Sequence, residues 1–459
     1  MQEEQSRLTR EQKEAIGLLS IGTFLEYFDL MLYVHMAVIL NDLFFPQSNP
    51  QTTSLLSASS FCAIFVFRPI GALLFGWIGD NIGRKTTVVI TTFMMAVSCV
   101  VMANLPTYAQ VGITASWAIT ICRIIQGMTS MGEVVGAEIY LTEITKPPVQ
   151  YTTVSLMVIF ATLGGTAALA IAFITTYNDF NWRIAFWIGG IVAIIGAVAR
   201  RKLRETPDFV DMKKMMFRAI ERESGITEAE KFLESPDNPM KREEIKKITI
   251  LALFAIQCLW PICLYFTYIH CGSILKSSFG YSVGQVIFQN FIVSMGQLAS
   301  YLFLLYLVHE RVYPLAILKV KLIIFSVFIF VLPYLLYNID TSFKLLMFQL
   351  FIVIFVPTGF PAVAILYKHF PVFKRFTYTS TTFALVHASM HILNSFGLVY
   401  LIKYFGHYGV LIIMIPALIG YMFGLFHFEK LEKNNEALLV ESKNAFKKLF
   451  GTAESFVVK

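Results

Sequence analysis

Charge is what this chain lacks. Asp, Glu, Lys and Arg make up 15% of its 459 residues, while 56% are hydrophobic and the mean hydropathy is +0.65. A water-soluble domain needs far more charged surface than that. A phosphate-cradling Gly-x-x-x-x-Gly-Lys-Ser/Thr run is missing too, so ATP is not the expected fuel. No nuclease, kinase or protease constellation is visible, and the chain does not read as an enzyme. Metal-ligand spacing is missing around the six cysteines, Cys62, Cys99, Cys122, Cys258, Cys263 and Cys271. They fall within apolar runs or at their ends and read as packing residues. No metal or cofactor is expected. A cleavable leader is not expected either: the N-terminus is of mixed charge, and the first apolar run is too long and holds carboxylates.

What is present is apolar sequence in long runs. A membrane helix needs about 20 apolar residues, and roughly twelve such stretches can be counted. They lie near 16–40, 54–78, 86–104, 111–142, 151–177, 184–200, 248–275, 283–308, 315–338, 343–367, 377–403 and 408–428. The longest polar run, 200–247, holds Pro207, Pro236 and Pro239 and splits the chain into halves of about six helices. The expected organisation is a first bundle over 1–199, a linker over 200–247, a second bundle over 248–428 and a tail over 429–459. Thr227 to Glu234 and Lys430 to Lys448 read as solvated or interfacial helices.

Basic residues set the orientation. Arg84, Lys85, Lys146, Arg200 to Arg204, Arg311, Lys374 and Arg375 fall on one side, whereas the loops near 41–51 and 104–110 have neither Lys nor Arg. Lys276, Lys344 and Lys403 are mild exceptions. Both termini are therefore expected in the cytoplasm. The net charge of +7 follows from this bias and does not indicate nucleic-acid binding. The bilayer is the expected surrounding, and a monomer the expected state.

Charges inside the apolar runs point to function, because they are costly in a membrane. Glu26, Asp29 and Tyr33 are spaced i, i+3, i+7 and share one helix face. Asp29 lies about 20 Å into its helix at 1.5 Å per residue. A carboxylate held out of water can exchange protons near neutral pH, so Asp29 or Glu26 is a candidate proton carrier; a permanent ion pair ordering the bundle is the plainer account. Arg123, near mid-depth of the fourth helix, is the natural partner of Asp29. Arg68, mid-depth in the second, could hold a substrate carboxylate bidentately or pair internally with Glu26 or Glu133. Glu133 could meet a substrate ammonium, relay a proton or pair with Arg68. Ser380, His387, His391 and Asn394 share a face of the eleventh helix, either as a cavity wall or as helix-pairing hydrogen bonds. His387 and His391 lack a third metal ligand. Tyr265 and Tyr268 offer an aromatic cage for a quaternary ammonium, or ordinary packing.

The motifs that carry a family likeness are four. They are Gly22 through Tyr33; Phe67-Arg68-Pro69-Ile70-Gly71 running into Gly76-Trp77-Ile78-Gly79-Asp80-Asn81-Ile82-Gly83-Arg84-Lys85; Arg123-Ile124-Ile125-Gln126-Gly127 continuing to Gly132-Glu133, Gly136 and Glu143; and Trp182 to Phe186 followed by Arg201, Leu203, Glu205, Thr206, Pro207 and Phe209. With these the chain resembles the major facilitator superfamily, and within it the metabolite:proton symporters that include proline/betaine, α-ketoglutarate, citrate and shikimate permeases. The likeness covers most of 16–210. In the second half, Tyr306 to Pro314 lacks the glycines of the repeated loop signature, His369 stands where the family has Glu, and Ala185 replaces a Pro.

The resemblance implies an all-α membrane protein of twelve transmembrane helices in two pseudo-symmetric six-helix bundles. It implies a bacterial cytoplasmic (inner) membrane and alternating access. It also implies an Asp29–Arg123 pair broken by protonation, and a gate of Gly76, Asp80, Gly83, Arg84, Lys85, Glu143 and Glu205 that holds the outward-facing state. Arg68, Tyr33, Glu133, His387, His391 and Asn394 become candidate substrate contacts. The function implied is proton-coupled import of a small organic solute, a proline/betaine-type osmolyte or a carboxylate. Two alternatives stay open. One is a metabolite exchanger or exporter, although the fifth helix, Ser155 to Thr176, lacks the Gly-Pro signature of antiporters. The other is a transporter-like sensor or scaffold that has lost transport.

Overall fold

The chain is described from a computed structural model, which covers residues 5, 7–45, 50–177, 181–201, 203–206, 209–211, 213–214, 245–309 and 312–450. Most of the expected linker lies outside these residues, including Thr227 to Glu234. So do the side chains of Glu133 and of 435–450.

Among the described residues, twelve long elements follow one another. In the first half they are α1 (Arg10–Phe44), α2 (Pro50–Asn81), α3 (Arg84–Asn104), α4 (Ile113–Ile144), α5 (Val149–Tyr177) and α6 (Arg183–Arg200). In the second they are α7 (Lys247–Tyr265, carried on through a π turn at Phe266–His270 to Cys271–Phe279), α8 (Val283–His309), α9 (Pro314–Tyr337), α10 (Ser342–Phe355 and, after a break, Val363–Lys368), α11 (Val372–Ile392, with a π turn at Leu393–Leu398 and a last piece, Val399–Phe405) and α12 (Gly409–Phe450). Among the described residues, eight stretches are long and apolar enough to cross a bilayer; α6 and the first piece of α10 are shorter apolar helices. A backbone in lipid must satisfy its own hydrogen bonds, and helices of this length do so internally.

The expected tenth span, 343–367, is not one helix. It stops at Phe355 and resumes at Val363, with Pro357 and Pro361 between. Proline has no amide to donate and clashes with the preceding turn, so two prolines four residues apart break the ladder. In α7, the π turn opens five residues after Pro261.

The packing repeats between halves. In the first, α1 lies on α5, α2 on α4 and α3 on α6; in the second, α7 lies on α11, α8 on α10 and α9 on α12. These are the same pairs shifted by six elements. Between the halves α2 lies on α11 and α5 on α8, which exchange under the same shift. The architecture is thus two six-helix bundles related by a pseudo-two-fold. Small residues allow the closest crossings. A Cβ on Gly71 or Gly127 would lie 2.3 Å from a backbone oxygen of the other helix in the α2–α4 pair, that of Met128 or Ile64.

Candidate functional site: buried ion pairs, a charged gate and a central cavity

Mid-membrane, α1 brings two carboxylates to two guanidinium groups. Asp29 Oδ2 is 2.9 Å from Arg123 Nη1, with both side chains buried. The same Nη1 donates to Gln126 Oε1 at 2.7 Å, and the Cys99 thiol donates to Asp29 Oδ1 at 3.7 Å. Tyr33 lies beneath the guanidinium, 3.9 Å from Arg123 Cζ. Three helices, α1, α3 and α4, thereby meet at one charge pair. Glu26 takes the second arginine, Arg68, at 3.3 Å. Arg68 also sits 4.8 Å over Phe65, whose ring stacks on His391 of α11 at 3.7 Å. The Nε of each arginine has no hydrogen-bond partner, so neither fork is saturated. Removing one member of such a buried pair costs about 3–5 kcal/mol, because it strands the other charge.

One end of the molecule carries the charged turn. Gly83 has φ 148°, a conformation that glycine adopts without strain, and it starts α3 beside Glu205. Glu205 accepts from the backbone N–H of Arg84 at 2.9 Å, and also from that of Lys85. Arg84 is fully buried and forks onto Glu143, 3.1 Å on each arm, while Arg375 of α11 reaches the same carboxylate at 3.0 Å. Asp80 pairs with Arg84 at 3.3 Å and accepts from the backbone N–H of Phe376 and Thr377, at 3.1 and 2.8 Å. A Cβ on Gly76 would lie 2.8 Å from the Thr377 Cα, so glycine lets α2 touch α11 here. The first bundle is thus joined to α11 at this end. The geometry brings the expected gate residues together and adds Arg375.

The corresponding place in the second bundle uses other chemistry. Glu432 of α12 accepts from Tyr313 at 3.2 Å and from Lys368 at 2.6 Å, and faces His369 Nε2 at 2.7 Å. Histidine at 369 therefore meets a carboxylate supplied by α12.

Between the bundles, above the gate, is a cavity with about 80 Å³ of room for the centre of a water molecule. One water takes about 10–15 Å³ on that measure, so a compact ligand of several heavy atoms fits. Tyr27 and Glu138 line it from the first bundle, and Trp260, Tyr268, Gln297 and Tyr301 from the second. None of Arg68, Tyr33, His387, His391 and Asn394 lines it. Asn394 instead donates to the Pro261 carbonyl at 3.2 Å, while His387 stacks on Phe383, His391 stacks on Phe65 and the two imidazoles lie tilted 5.8 Å apart. The polar stripe of α11 thus makes helix-pairing contacts. Glu138 escaped the sequence reading even though it lies inside the third motif; a carboxylate in an apolar run was the available signal.

Comparison with known proteins agrees with this geometry. The family model described as Major Facilitator Superfamily matches residues 19–371, and the chain belongs to that family. It is 36% identical over 202 residues to the inner membrane metabolite transport protein YhjE of Escherichia coli, covering 42% of this chain and 46% of that one. It is 32% identical over 205 residues to the proline/betaine transporter of Salmonella typhimurium, covering 43% of this chain and 41% of that one. The chain thus spans under half the length of these curated relatives. Among solved structures, the proton:xylose symporter XylE superposes with a TM-score of 0.73 at 15% identity, over 90% of this chain and 94% of that one. The human organic anion transporter MFSD10 superposes at 0.64 with 14% identity, over 92% and 100%. These likenesses establish the fold.

Proposed function

We propose that the protein is a proton-coupled symporter that imports a small organic solute across the bacterial inner membrane, with both termini in the cytoplasm and the charged gate on that side. The relatives' names support an osmolyte of the proline/betaine kind or a carboxylate as the solute class. The observation that carries the reading is the buried Asp29–Arg123 pair, 2.9 Å apart and tied to α3 through Cys99. A proton on Asp29 removes the negative charge that holds Arg123. The guanidinium is then free to re-pair, and the α1–α4 contact loosens. Import follows when protonation is favoured from the outside and the gate of Asp80, Arg84, Glu143 and Arg375 opens inward. The intact gate weighs against a transport-dead sensor, since a scaffold has no need of a bolt between its moving halves.

The test is uptake into proteoliposomes with an imposed proton gradient, using labelled proline, glycine betaine and a dicarboxylate. Accumulation above equilibrium that a protonophore collapses is the expected result. Asp29→Asn should lose accumulation but keep solute counterflow, because a neutral residue 29 mimics one protonation state. Uphill uptake at the wild-type rate by Asp29→Asn would sink the coupling assignment.

A further inference from the structure

The central cavity bears a charge the proposed mechanism does not use. Six Asp or Glu side chains are buried among the described residues: Glu26, Asp29, Asp80, Glu138, Glu143 and Glu432. Five face an Arg or Lys at 3.3 Å or less. Glu138 is the sixth. No Lys, Arg or His among the described residues pairs with it, and its one side-chain hydrogen bond comes from the Tyr367 hydroxyl at 3.0 Å. A carboxylate in this position has lost its water without gaining a counter-charge.

The surroundings specify what would supply that charge. Tyr27, Trp260, Tyr268 and Tyr301 put four aromatic side chains around the cavity. Aromatic faces carry negative potential and attract cations, most strongly where water is excluded. Among the described residues no Lys, Arg or His lines the cavity, so a ligand's anionic end would find just neutral donors there. We propose that this cavity is the binding site for a compact organic cation, an amine or quaternary ammonium of net positive charge, with Glu138 as its counter-ion. The proposal rests on the reading of the chain as a solute transporter and assigns it a net-cationic solute in place of the osmolyte or carboxylate that the relatives' names suggest.

The site is also wired to the gate. Tyr367 belongs to α10 and Glu138 to α4, so their hydrogen bond crosses between bundles. Opening the gate end draws Tyr367 away and exposes Glu138 on that side. The carboxylate that holds the cation is thereby the one that the moving bundle uncovers.

The experiment measures thermal stabilisation and calorimetric binding on the purified full-length protein. The probes are tetramethylammonium and choline as net cations, proline and glycine betaine as zwitterions, and succinate as an anion. Stabilisation by the net cations in preference to the others is expected. Glu138→Gln, isosteric and neutral, should weaken cation binding at least ~10-fold, the scale of one charge-assisted contact. Trp260→Leu should weaken it as well and covers the case in which Glu138→Gln does not fold. Stabilisation by succinate or zwitterions without any by cations would overturn the proposal, as would cation binding undiminished in both variants. The two readings fail separately. Cation binding through Glu138 without uphill uptake in vesicles leaves the site standing and removes the transport reading. Proton-driven uptake of a solute by a protein that binds no cation does the reverse.

Discussion

Gly83 shows how much one residue can decide. Its φ of 148° is unfavourable for any side chain, and a Cβ there would lie 2.1 Å from Glu205 Oε2. Gly83→Ala must therefore both strain the turn and displace the carboxylate that caps α3. Strain of this kind costs about 1–3 kcal/mol. We expect a lower unfolding temperature for the purified variant, and an unchanged one would refute the account. This position was legible in the sequence because a glycine between charges in a short turn has few other uses. Asp29 and Arg123 were legible for a related reason: each interrupts an apolar run, and their depths match. Arg68 had a substrate carboxylate, Glu26 and Glu133 as candidate partners, and geometry was needed to show its pairing with Glu26. Glu138 stayed hidden. It is five positions beyond Glu133, so it lies on another face of α4, and no spacing links it to the aromatic residues of α7 and α8 that complete its cavity. Tyr268 was noticed, but an aromatic side chain in a membrane helix packs far more often than it binds.

α2 is the element that joins everything, lying on α4 within its bundle and on α11 across the interface. Its contact with α4 depends on Gly127, where a Cβ would lie 2.3 Å from the Ile64 backbone oxygen. A backbone cannot yield as a side-chain tip does, so Gly127→Val has to push the helices apart. Overpacking costs about 1–3 kcal/mol. Arg123 lies one turn away on α4, so the displacement should also disturb its pairing with Asp29. Gly127→Val is expected to unfold at lower temperature and to accumulate solute poorly under a proton gradient; wild-type values of both would show that the crossing tolerates separation. The sequence showed where helices run but not how they end. Long apolar runs make the spans visible at about 20 residues each. The break in α10 was signalled by Pro357 and Pro361, yet hydropathy carried the expected span straight through them. Helix partners were not legible, because apolar faces in lipid do not choose one another by hydrophobicity.

The two halves share packing but not their latches, and that asymmetry decides how the molecule should move. In the first half, Glu143 receives Arg84 from its own bundle, Thr206 from the segment just after α6 and Arg375 from the other bundle. In the second half, Glu432 meets Tyr313, Lys368 and His369, all within one bundle. On the proposed gating mechanism, a network that crosses the interface would hold the gate shut, and one confined to a bundle would hold that bundle rigid. Losing the charge on Glu143 leaves Arg84 with Asp80 and takes from Arg375 a carboxylate 3.0 Å away, and breaking a buried pair costs about 3–5 kcal/mol. Carrying a two-state equilibrium from 1:99 to 99:1 takes about 5.5 kcal/mol, so Glu143→Gln should shift the resting population strongly toward an open gate. Glu432→Gln should lower thermal stability and leave the gate where it is. Spin labels at Ile82→Cys and Val312→Cys, exposed positions on opposite bundles at the gate end, report the opening as a distance. The distance should lengthen in Glu143→Gln and stay constant in Glu432→Gln. Equal lengthening in both would mean that the second cluster also spans the moving interface. No lengthening in either would place the bolt on Asp80, whose carboxylate also reaches across from α2 to the backbone of α11.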